Sequence, residues 1–462
     1  MATHFVKRGL DLPIAGTPDP VLENARPVSR VAWIAEDYLG LKPSVLVRES
    51  DAVTRGQPIV ADKRFPGVIH TAPASGTVMA IHRGERRRLL SIVIELNDRE
   101  RQGKPDERDF FPFSAWSNIQ AGQPETWSGE AIRALLAESG LWPAFLTRPF
   151  SKTPALESEP AAIFITASDT HPLAPPMDQV FDGRQEDLDM GALVMTRLTP
   201  GPVFFCRCAG ASFAPRGTDR LRVEDFKGPH PSGTAGVHIN RLMPVSRNRT
   251  VWVIGLQDLL DVGALFRTGR LDGRRIVALA GPPVKRPRLL RTRVGASLDE
   301  LTEGELMDGE HRVISGSVFC GRTAMGPQLG WLGRRHNMIS VLREGRDREF
   351  MGWLSPGWDK FSVARIFFSK LFPAKRFALT TSTNGDVRAM VPIGLFERLW
   401  PMDILPTFLL RAIAVKDTER AEALGVLELD EEDVSLCTFV SPSKEDFGRQ
   451  LRETLDLIEK EG

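Results

Sequence analysis

Several motifs that mark catalytic or cofactor-binding proteins are missing from this 462-residue chain. It has no G-x-G and no G-x-x-x-x-G-K-[ST], the glycine loops through which many proteins hold a dinucleotide or ATP. It also has no H-E-x-x-H, C-x-x-C or G-x-S-x-G, so zinc-protease, thioredoxin and esterase signatures are excluded. The sequence therefore predicts no catalytic residue.

Cysteine is scarce as well, with four in the whole chain: Cys206, Cys208, Cys320 and Cys437. So few thiols suit a reducing compartment rather than a disulfide scaffold. Cys206 and Cys208 are two residues apart on a predicted strand, so both side chains share one face as candidate metal ligands. A closed zinc site or an Fe–S cluster needs four ligands. We interpret the cysteines as free thiols and predict no metal site.

Two further absences bear on location and partners. Residues 1–8 have no apolar secretory core, and the longest apolar stretch, 389–415, is interrupted by charged residues and prolines. We therefore predict neither a secretory signal nor a transmembrane helix. The net charge of +1 gives no reason to expect a nucleic acid as partner. The basic run 285–293 is typical of a solvated loop, with contact to an acidic partner as the alternative.

What is present predicts an α+β multidomain fold. Residues 1–105 contain short β-branched runs separated by Gly and Pro, and their order resembles the barrel-sandwich of biotinyl/lipoyl carrier domains. In residues 128–285, strands alternate with helices, which favours a Rossmann-like α/β domain. Residues 286–360 are predicted to form a β-grasp-like element and further β structure. Residues 361–462 are predicted to be mainly a helical bundle.

Two helices have clear signals. Ser128 is a predicted N-cap for a helix over 129–139. Ser443 is the predicted cap of the C-terminal helix. That helix has an apolar face at i+4 and i+3 steps, made by Phe447, Leu451, Leu455 and Ile458.

Lys63 lies between the two sandwich repeats, where a lipoyl domain displays its modified lysine. One interpretation is therefore a swinging-arm carrier. The alternative is an ordinary surface lysine. The loop 63–67 is longer than the tight turn of a carrier and contains Pro66, which favours the surface lysine.

The richest loop spans 228–236, with the sequence GPHPSGTAG. Its glycines can present backbone N–H groups to an anion, or they can form a structural turn before a helix. His230 and His238 are eight residues apart and match no common metal spacing. The remaining single histidines are interpreted as hydrogen-bonding residues; they include His70, His82, His171 and His336.

Ten segments, in order along the chain, resemble the A subunits of bacterial Na⁺-translocating NADH:quinone reductases. They are 8–16 (RGLDLPIAG), 71–76 (TAPASG), 139–142, 147–152 (TRPFSK), 228–231, 291–301, 313–317, 340–345, 389–394 and 428–433. Because these segments are collinear and cover essentially the whole chain, the chain is identified as a member of this family.

The resemblance implies a role within a complex. The complex oxidises NADH, passes electrons through flavins and an Fe–S centre in other subunits, reduces ubiquinone and exports Na⁺. The family member is implied to be peripheral, on the cytoplasmic face of the bacterial inner membrane, in contact with the other subunits. It is implied to bind no cofactor of its own and to catalyse nothing independently.

The resemblance also implies a place for quinone, because members of this family are often assigned a part in quinone binding. Their architecture is similar to that of the flavin-bearing subunit of respiratory complex I, in which the region of loop 228–236 lies beside the flavin. We therefore expect an open cleft there, with Gly233 and Gly236 in its wall, His230 as donor and Phe150 as an apolar wall. The alternative is a structural remnant without a ligand.

One competing function remains. The same architecture fits an independent soluble flavin or NADH oxidoreductase. A visible absorption spectrum of the purified chain distinguishes the two, because a bound flavin is yellow.

Overall fold

The computed structural model describes residues 2–120, 122–217, 220–346, 352 and 354–461. The strands of this part of the chain are, in order, β1 Ala2–Phe5, β2 Asp19–Asn24, β3 Arg30–Ile34, β4 Pro43–Val45, β5 Ala52–Val53, β6 Pro58–Asp62, β7 Ile69–Thr71, β8 Gly76–Arg83, β9 Leu89–Leu96, β10 Leu146–Arg148, β11 Ile163–Ala167, β12 Val203–Cys208, β13 Leu221–Lys227, β14 Val251–Gly255, β15 Arg274–Ala280, β16 Arg288–Arg293, β17 His311–Ser315, β18 Arg322–Thr323 and β19 Met338–Arg343.

The α-helices of the same residues are α1 Asp98–Arg101, α2 Trp116–Gln120, α3 Gly129–Glu138, α4 Met177–Phe181, α5 Gln185–Leu198, α6 Ala235–Leu242, α7 Leu256–Thr268, α8 Leu298–Thr302, α9 Gly326–Leu329, α10 Leu395–Leu399, α11 Pro406–Ala414, α12 Thr418–Ala423, α13 Glu431–Val440 and α14 Phe447–Glu461. Short 3₁₀ turns separate several of them.

The N-terminal β domain consists of two small antiparallel sheets with strand orders β3-β9-β8-β5 and β4-β6-β7. Apolar residues of both sheets, such as Val31, Ile59 and Ile94, are buried in one core. The same core contains Val277 and Val341 from a later sheet. The β domain therefore packs directly on another part of the chain.

The central sheet has the order β1-β13-β12-β11-β14-β10, parallel throughout except for β10. Alternating side chains of β11 enter opposite cores: Ile163 and Ile165 face α3, α5 and α7, whereas Phe164 faces α6 and the C-terminal helices. Burial of both faces explains why its strands are continuous apolar runs.

Helices α5 and α7 cross with their backbones in contact. A Cβ atom on Gly263 would lie 1.8 Å from the carbonyl oxygen of Asp187. A Cβ atom on Gly191 would lie 2.5 Å from the carbonyl oxygen of Leu259. Any side chain at either glycine would push the helices apart, so these residues fix the helical layer on the first face of the central sheet.

The third sheet has the order β18-β17-β19-β15-β16-β2 and mixes parallel and antiparallel pairs. The predicted division after residue 285 falls between β15 and β16, which pair with each other. The first two strands also lie outside the β domain: β1 joins the central sheet and β2 the third sheet. Both are short edge strands with mostly exposed residues, so no hydrophobic pattern predicts their partners.

The C-terminal region is less helical than predicted. In the described part of 361–394, the regular structure is a single 3₁₀ turn, Phe368–Leu371, and helices resume at α10. The predicted apolar face of α14 is confirmed, since all four of its residues are buried against the core on the second face of the central sheet. Asp446 rather than Ser443 accepts the backbone N–H of Arg449 in the first turn of this helix.

Candidate functional site

Loop 228–236 is packed rather than open. Every residue from His230 to Ile239 is buried. A Cβ atom on Gly233 would lie 2.9 Å from Thr170, and one on Gly236 would lie 2.2 Å from a carboxylate oxygen of Asp433. The expectation of an open cleft lined by these glycines is therefore wrong, because their missing side chains allow close packing instead of leaving free space.

The loop lies where a ligand would bind in many open α/β sheets. In the sheet order β13-β12-β11-β14, the chain continues from β11 to β12 and β13 on one side, whereas β14 lies on the other side of β11. The carboxyl ends of β11 and β14 therefore form a topological switch point. Asp169 and His171 follow β11 immediately. The ring of His230 lies 4.8 Å from that of His171. We call the space around these three residues the switch-point crevice.

Other parts of the same chain fill this crevice. Asn337, before β19, donates to Asp169 Oδ2 at 3.1 Å. The ring of Phe319 lies 5.4 Å from that of His230. Glu432, in α13, places Oε1 3.8 Å from His171 Nε2. A flavin or nucleotide in this position would have to displace these side chains.

Within the crevice, three residues are arranged like a nucleophilic triad. Asp169 Oδ1 lies 2.9 Å from His171 Nδ1, and the Cys320 Sγ lies 3.6 Å from His171 Nε2. Burial opposes a charge on His171, but its neighbours, with the Asp169 carboxylate at 2.9 Å, outweigh it and raise the pKa of the imidazole well above 6.5. Part of Cys320 is exposed, but desolvation of its thiol, together with Glu432 and Asp169, raises the pKa of that thiol. A protonated thiol is a poor nucleophile, so the arrangement does not indicate catalysis.

The first turn of α13 holds the crevice closed. Asp430 and Asp433 form a reciprocal capping box, and both also pair with the buried Arg148 at 3.0 and 3.3 Å. The hydroxyl of Thr234, in the glycine loop, lies 3.4 Å from Asp433 Oδ1. Desolvation raises the pKa of the neighbouring Glu432 to about 7. These ionic contacts join the central sheet, the glycine loop and the C-terminal helices.

Phe150 does not join His230 in one pocket. Its backbone has a φ of 80°, and its carbonyl accepts a hydrogen bond from Arg452 at 2.8 Å. Its ring packs on the apolar core shared with the C-terminal helices. Among the described residues, the rings in contact with His230 are those of His171 and Phe319.

A second concave site, which the sequence did not predict, lies where the β domain, the central-sheet domain and the third sheet meet. We call it the three-way cleft. Its lining includes Trp33, Tyr38 and His70 from the β domain, Gly140 and Asp261 from the central-sheet domain, and Arg334.

Aromatic rings form one wall of the three-way cleft. Trp33 and Tyr38 stack with centroids 5.4 Å apart and planes at 11°. The ring of His70 meets both edge-on, at 5.2 and 4.3 Å. Desolvation, helped by Arg334 and Arg335, lowers the pKa of His70 to about 3, so this imidazole is neutral at pH 7.

Polar atoms in this lining lack partners. Five of them are buried and accept or donate no hydrogen bond within the described structure: Trp33 Nε1, His70 Nδ1, Asp261 Oδ1, Arg334 Nε and Arg334 Nη2. Two of the five still lie in ion pairs, Arg334 Nη2 at 3.2 Å from Asp258 and Asp261 Oδ1 at 3.9 Å from Arg184. Buried polar groups are rarely left unsatisfied, so such a group calls for an explanation, which here is water or a polar ligand. No sequence signal identifies this site, because its residues come from segments more than 200 positions apart.

The loop with Lys63 is also held in place. Arg64 pairs with Glu459 of α14 at 2.7 Å, and Asp62 accepts the backbone N–H groups of Lys42 and Arg64. Lys63 itself is exposed. A loop fixed on both sides suits the surface-lysine interpretation better than that of a mobile carrier arm.

Family models match three stretches of the chain. Residues 5–97 match the NqrA N-terminal barrel-sandwich hybrid domain, residues 127–271 the NqrA second alpha/beta domain, and residues 276–326 the NQRA C-terminal domain. The first match agrees with the predicted barrel-sandwich.

Full-length relatives decide the family. The chain is 48% identical over 457 residues to the A subunit of the Na(+)-translocating NADH-quinone reductase of Pasteurella multocida, with 99% of both chains covered. Identity to the proteins of the same name is 49% in Cellvibrio japonicus and 50% in Hahella chejuensis, again with 99% of both chains covered. The chain belongs to the NqrA family. Membership confirms the predicted role within a complex over the independent oxidoreductase.

A solved NAD⁺-reducing [NiFe]-hydrogenase covers 50% of the chain at 16% identity, with a TM-score of 0.34. That likeness is too low to support any argument about this NqrA-family chain. Among the residues that the structure describes, none of the helices is both long and apolar enough to cross a membrane.

Proposed function

We propose that this chain is a peripheral, cofactor-free component on the cytoplasmic side of a Na⁺-translocating NADH-quinone reductase, and that it holds the quinone head group in the three-way cleft. The relatives are A subunits of complexes that are named as NADH-quinone reductases. The observation that supports the location is the set of unpartnered polar atoms beside a stacked aromatic pair.

The chemistry of the cleft suits a quinone head group. This ligand is a flat ring with two carbonyl oxygens, so it needs a planar apolar wall and hydrogen-bond donors. Trp33 and Tyr38 supply the wall, and Trp33 Nε1 and Arg334 Nε each carry an unused N–H. Neutral His70 adds a third polar atom whose role depends on its tautomer. Sites at the meeting of domains, mostly apolar with a few polar groups, are typical of small ligands.

The cleft is narrow. Its cavity measures about 50 Å³, within a wider empty space of about 620 Å³ that includes the mouth. Since one water needs roughly 10–15 Å³ by the same kind of measure, a few waters occupy it readily. A quinone ring requires their displacement and a shift of the lining side chains, which we expect to accompany binding.

The four residues predicted from the sequence, Phe150, His230, Gly233 and Gly236, remain the alternative location for quinone. Packing favours the three-way cleft over them, because Gly233 and Gly236 have no free space and the ring of Phe150 packs on the core shared with the C-terminal helices rather than on His230. His230 does keep an unpartnered Nε2. It is completely buried, however, so a ligand would have to open the crevice to reach it.

The proposal that the chain binds no flavin, dinucleotide or Fe–S cluster is supported by the filled crevice. The strand order β13-β12-β11-β14 corresponds to 3-2-1-4, as in a Rossmann-like sheet, which supports the predicted fold of this domain. The position of a nucleotide in such a sheet is occupied here by Phe319, Asn337 and Glu432. We likewise infer a β-grasp-like element within the third sheet and a bundle formed by α10–α14, which pack together.

The test is to remove donors from the cleft while keeping its shape. Trp33→Phe deletes the indole N–H, and Arg334→Lys keeps the charge but replaces the guanidinium, both its Nε and the Nη2 that pairs with Asp258. A short-chain ubiquinone is titrated into the isolated chain by calorimetry, and its KM is measured with the assembled complex. We expect each variant to weaken binding and raise KM about fivefold, since one hydrogen bond contributes about 1 kcal/mol.

Trp400→Phe is the matched control. Trp400 is equally buried and its Nε1 is also without a partner in the described structure, but it lies in the core shared with the C-terminal helices. It should leave quinone binding unchanged. If Trp33→Phe and Arg334→Lys bind ubiquinone like the unmodified chain, the quinone does not occupy this cleft.

A further inference from the structure

Exposed apolar residues are concentrated in one part of the molecule, residues 354–393, which we call the basic-aromatic segment. This segment holds nine of the nineteen large apolar side chains that are exposed in the described structure: Leu354, Trp358, Ile366, Phe368, Leu371, Phe372, Val387, Val391 and Ile393. Ile366 is 71% exposed and Leu371 61%. Large exposed apolar patches on a folded protein mark interaction sites.

The segment is attached to the rest of the fold by contacts of Phe361 and Phe377. Phe377 is buried and exchanges backbone hydrogen bonds with Pro13 and Ala15. The ring of Phe361 contacts those of Phe377 and Phe439 at 5.6 and 6.4 Å. Residues 362–376, between these two anchors, thus form a surface held at both ends.

Aromatic residues of this surface form a half-exposed cluster. The ring of Trp358 stacks on Phe368 at 5.3 Å and lies 6.1 Å from Phe372. All three side chains are about half exposed. A preformed aromatic cluster that is only half covered resembles the centre of a protein interface, where Trp and Phe are enriched.

The charge of the segment is one-sided, although the whole chain is nearly neutral. Residues 354–393 contain six Lys or Arg residues and two Asp residues, against a net charge of +1 for the chain. Arg365, Lys370 and Arg376 are exposed beside the aromatic cluster. A like-charged second copy would be repelled, so the complementary surface carries carboxylates around an apolar centre.

The backbone decides between a protein and a lipid bilayer. Apart from the 3₁₀ turn Phe368–Leu371, the described residues of the segment form no helix or strand. Irregular backbone in hydrocarbon would leave N–H and C=O groups without partners, at a cost of several kcal/mol each. A protein surface can supply those partners.

We infer that the basic-aromatic segment is the docking surface for another component of the reductase, one that presents an apolar patch rimmed by carboxylates. This inference rests on the proposed role of the chain as one part of a complex, but not on the location of quinone. Ile366, Phe368 and Leu371 form the apolar contact, and Arg365 and Lys370 supply the charge complementarity.

The test uses the tagged full chain co-expressed with the remaining subunits. Ile366→Ser, Phe368→Ser and Leu371→Ser are combined in one variant, and Arg365→Glu and Lys370→Glu in a second. We expect the first to reduce co-purified partner subunits about tenfold or more. The second should reduce the amount of co-purified partner subunits at low salt. Added salt should bring that amount closer to the one obtained with the unmodified chain.

A matched control combines Val21→Ser, Met79→Ser and Met307→Ser, which are exposed at 55, 54 and 52% in other parts of the molecule. It should co-purify like the unmodified chain, and all variants should keep the same melting temperature. Normal co-purification of both segment variants would overturn the inference.

Vesicles of zwitterionic and anionic phospholipid provide the second arm. If the isolated chain sediments with them and the segment variants do not, while assembly is normal, the segment binds lipid and the inference fails. Titration of the variants with the short-chain ubiquinone keeps this outcome separate from that of the three-way cleft, because docking variants should bind quinone normally.

Discussion

The switch-point crevice and the three-way cleft differ in how closely they are packed. In the crevice, Asp169 bonds to both His171 and Asn337, and glycines let neighbouring segments close the space around His230, whose Nε2 is left without a partner in the described structure. In the cleft, Trp33 Nε1 and Arg334 Nε are buried without a hydrogen-bond partner in the described structure. A topological position known for ligands can thus be closed by the chain itself, while unsatisfied polar atoms beside a cavity indicate a site elsewhere.

The largest effect should come from Arg148, which holds the crevice closed. Arg148→Met leaves the carboxylates of Asp430 and Asp433 without their buried partner. Removing one member of a buried ion pair costs about 3–5 kcal/mol, so we expect the free energy of unfolding in urea to fall by that amount. Arg449→Met, which breaks an exposed pair with Glu453, should cost less than about 1 kcal/mol. Equal effects of the two variants would contradict the ionic closure of the crevice.

Gly236→Val should have the next largest effect. Its side chain would overlap the Asp433 carboxylate, whose nearest oxygen lies 2.2 Å from the position of the added Cβ. Overpacking of this kind costs roughly 1–3 kcal/mol or more. Gly255→Ala is the control, because a Cβ there meets nothing within 4 Å. Thermal unfolding of both variants measures the difference; a stable Gly236→Val protein would show that the crevice has free space after all.

The two regions should also respond to pH in opposite directions through their histidines. The pKa of folded His70 is lowered to about 3 by desolvation. As the pH drops below 6.5, the unfolded chain therefore takes up a proton at this residue that the folded chain does not, and stability falls. At about 1.4 kcal/mol per pH unit, this amounts to about 2 kcal/mol between pH 6.5 and 5.

His171 has the reverse sign. Its folded pKa is raised well above 6.5 against desolvation, with Asp169 as its carboxylate partner, and Glu432 faces the same ring. Its contribution to stability is therefore complete below pH 6.5 and is lost as the pH rises through the folded pKa. Unfolding free energies of His70→Gln and His171→Gln at pH 5, 6.5 and 8 test this. Relative to the unmodified chain, His70→Gln should gain stability at low pH and His171→Gln should lose most there; parallel curves would refute the contrast.

The smallest effect concerns two buried tryptophans. Trp142 Nε1 donates to the carbonyl of Pro154 at 2.9 Å, whereas Trp33 Nε1 has no partner in the described structure. Trp142→Phe therefore removes a hydrogen bond within the protein, whereas Trp33→Phe removes none to another described residue. We expect Trp142→Phe to cost about 1 kcal/mol more in denaturant unfolding. A larger loss for Trp33→Phe would mean that its N–H is satisfied, for example by an ordered water.

Local patterns predicted the elements that local interactions form. The helix over 129–139 appears as α3 with Ser128 as its cap, because the cap and the apolar spacing are adjacent in sequence. The alternation of strands and helices predicted for residues 128–285 appears as β10–β15 and α3–α7. The edge strands β1 and β2 were missed, since their partners are more than 200 residues away.

For the candidate sites, too, the local sequence predicted only what neighbouring residues determine. The sequence marked loop 228–236 by its glycines, but glycine permits both an open anion site and close packing, and the neighbour that decides, Asp433, is about 200 positions later. It treated His70 as an ordinary hydrogen-bonding residue, although its Nδ1 is without a partner in the described structure.

By itself, the sequence determined the family, through collinear segments along the whole chain, and the types of its longer helices and buried strands, through residue spacing and caps. Only the tertiary structure decided which concave regions are filled and which keep free space. The physical reason is that burial and hydrogen-bond satisfaction depend on groups brought together from distant segments, as Trp33, Asp261 and Arg334 are in the three-way cleft.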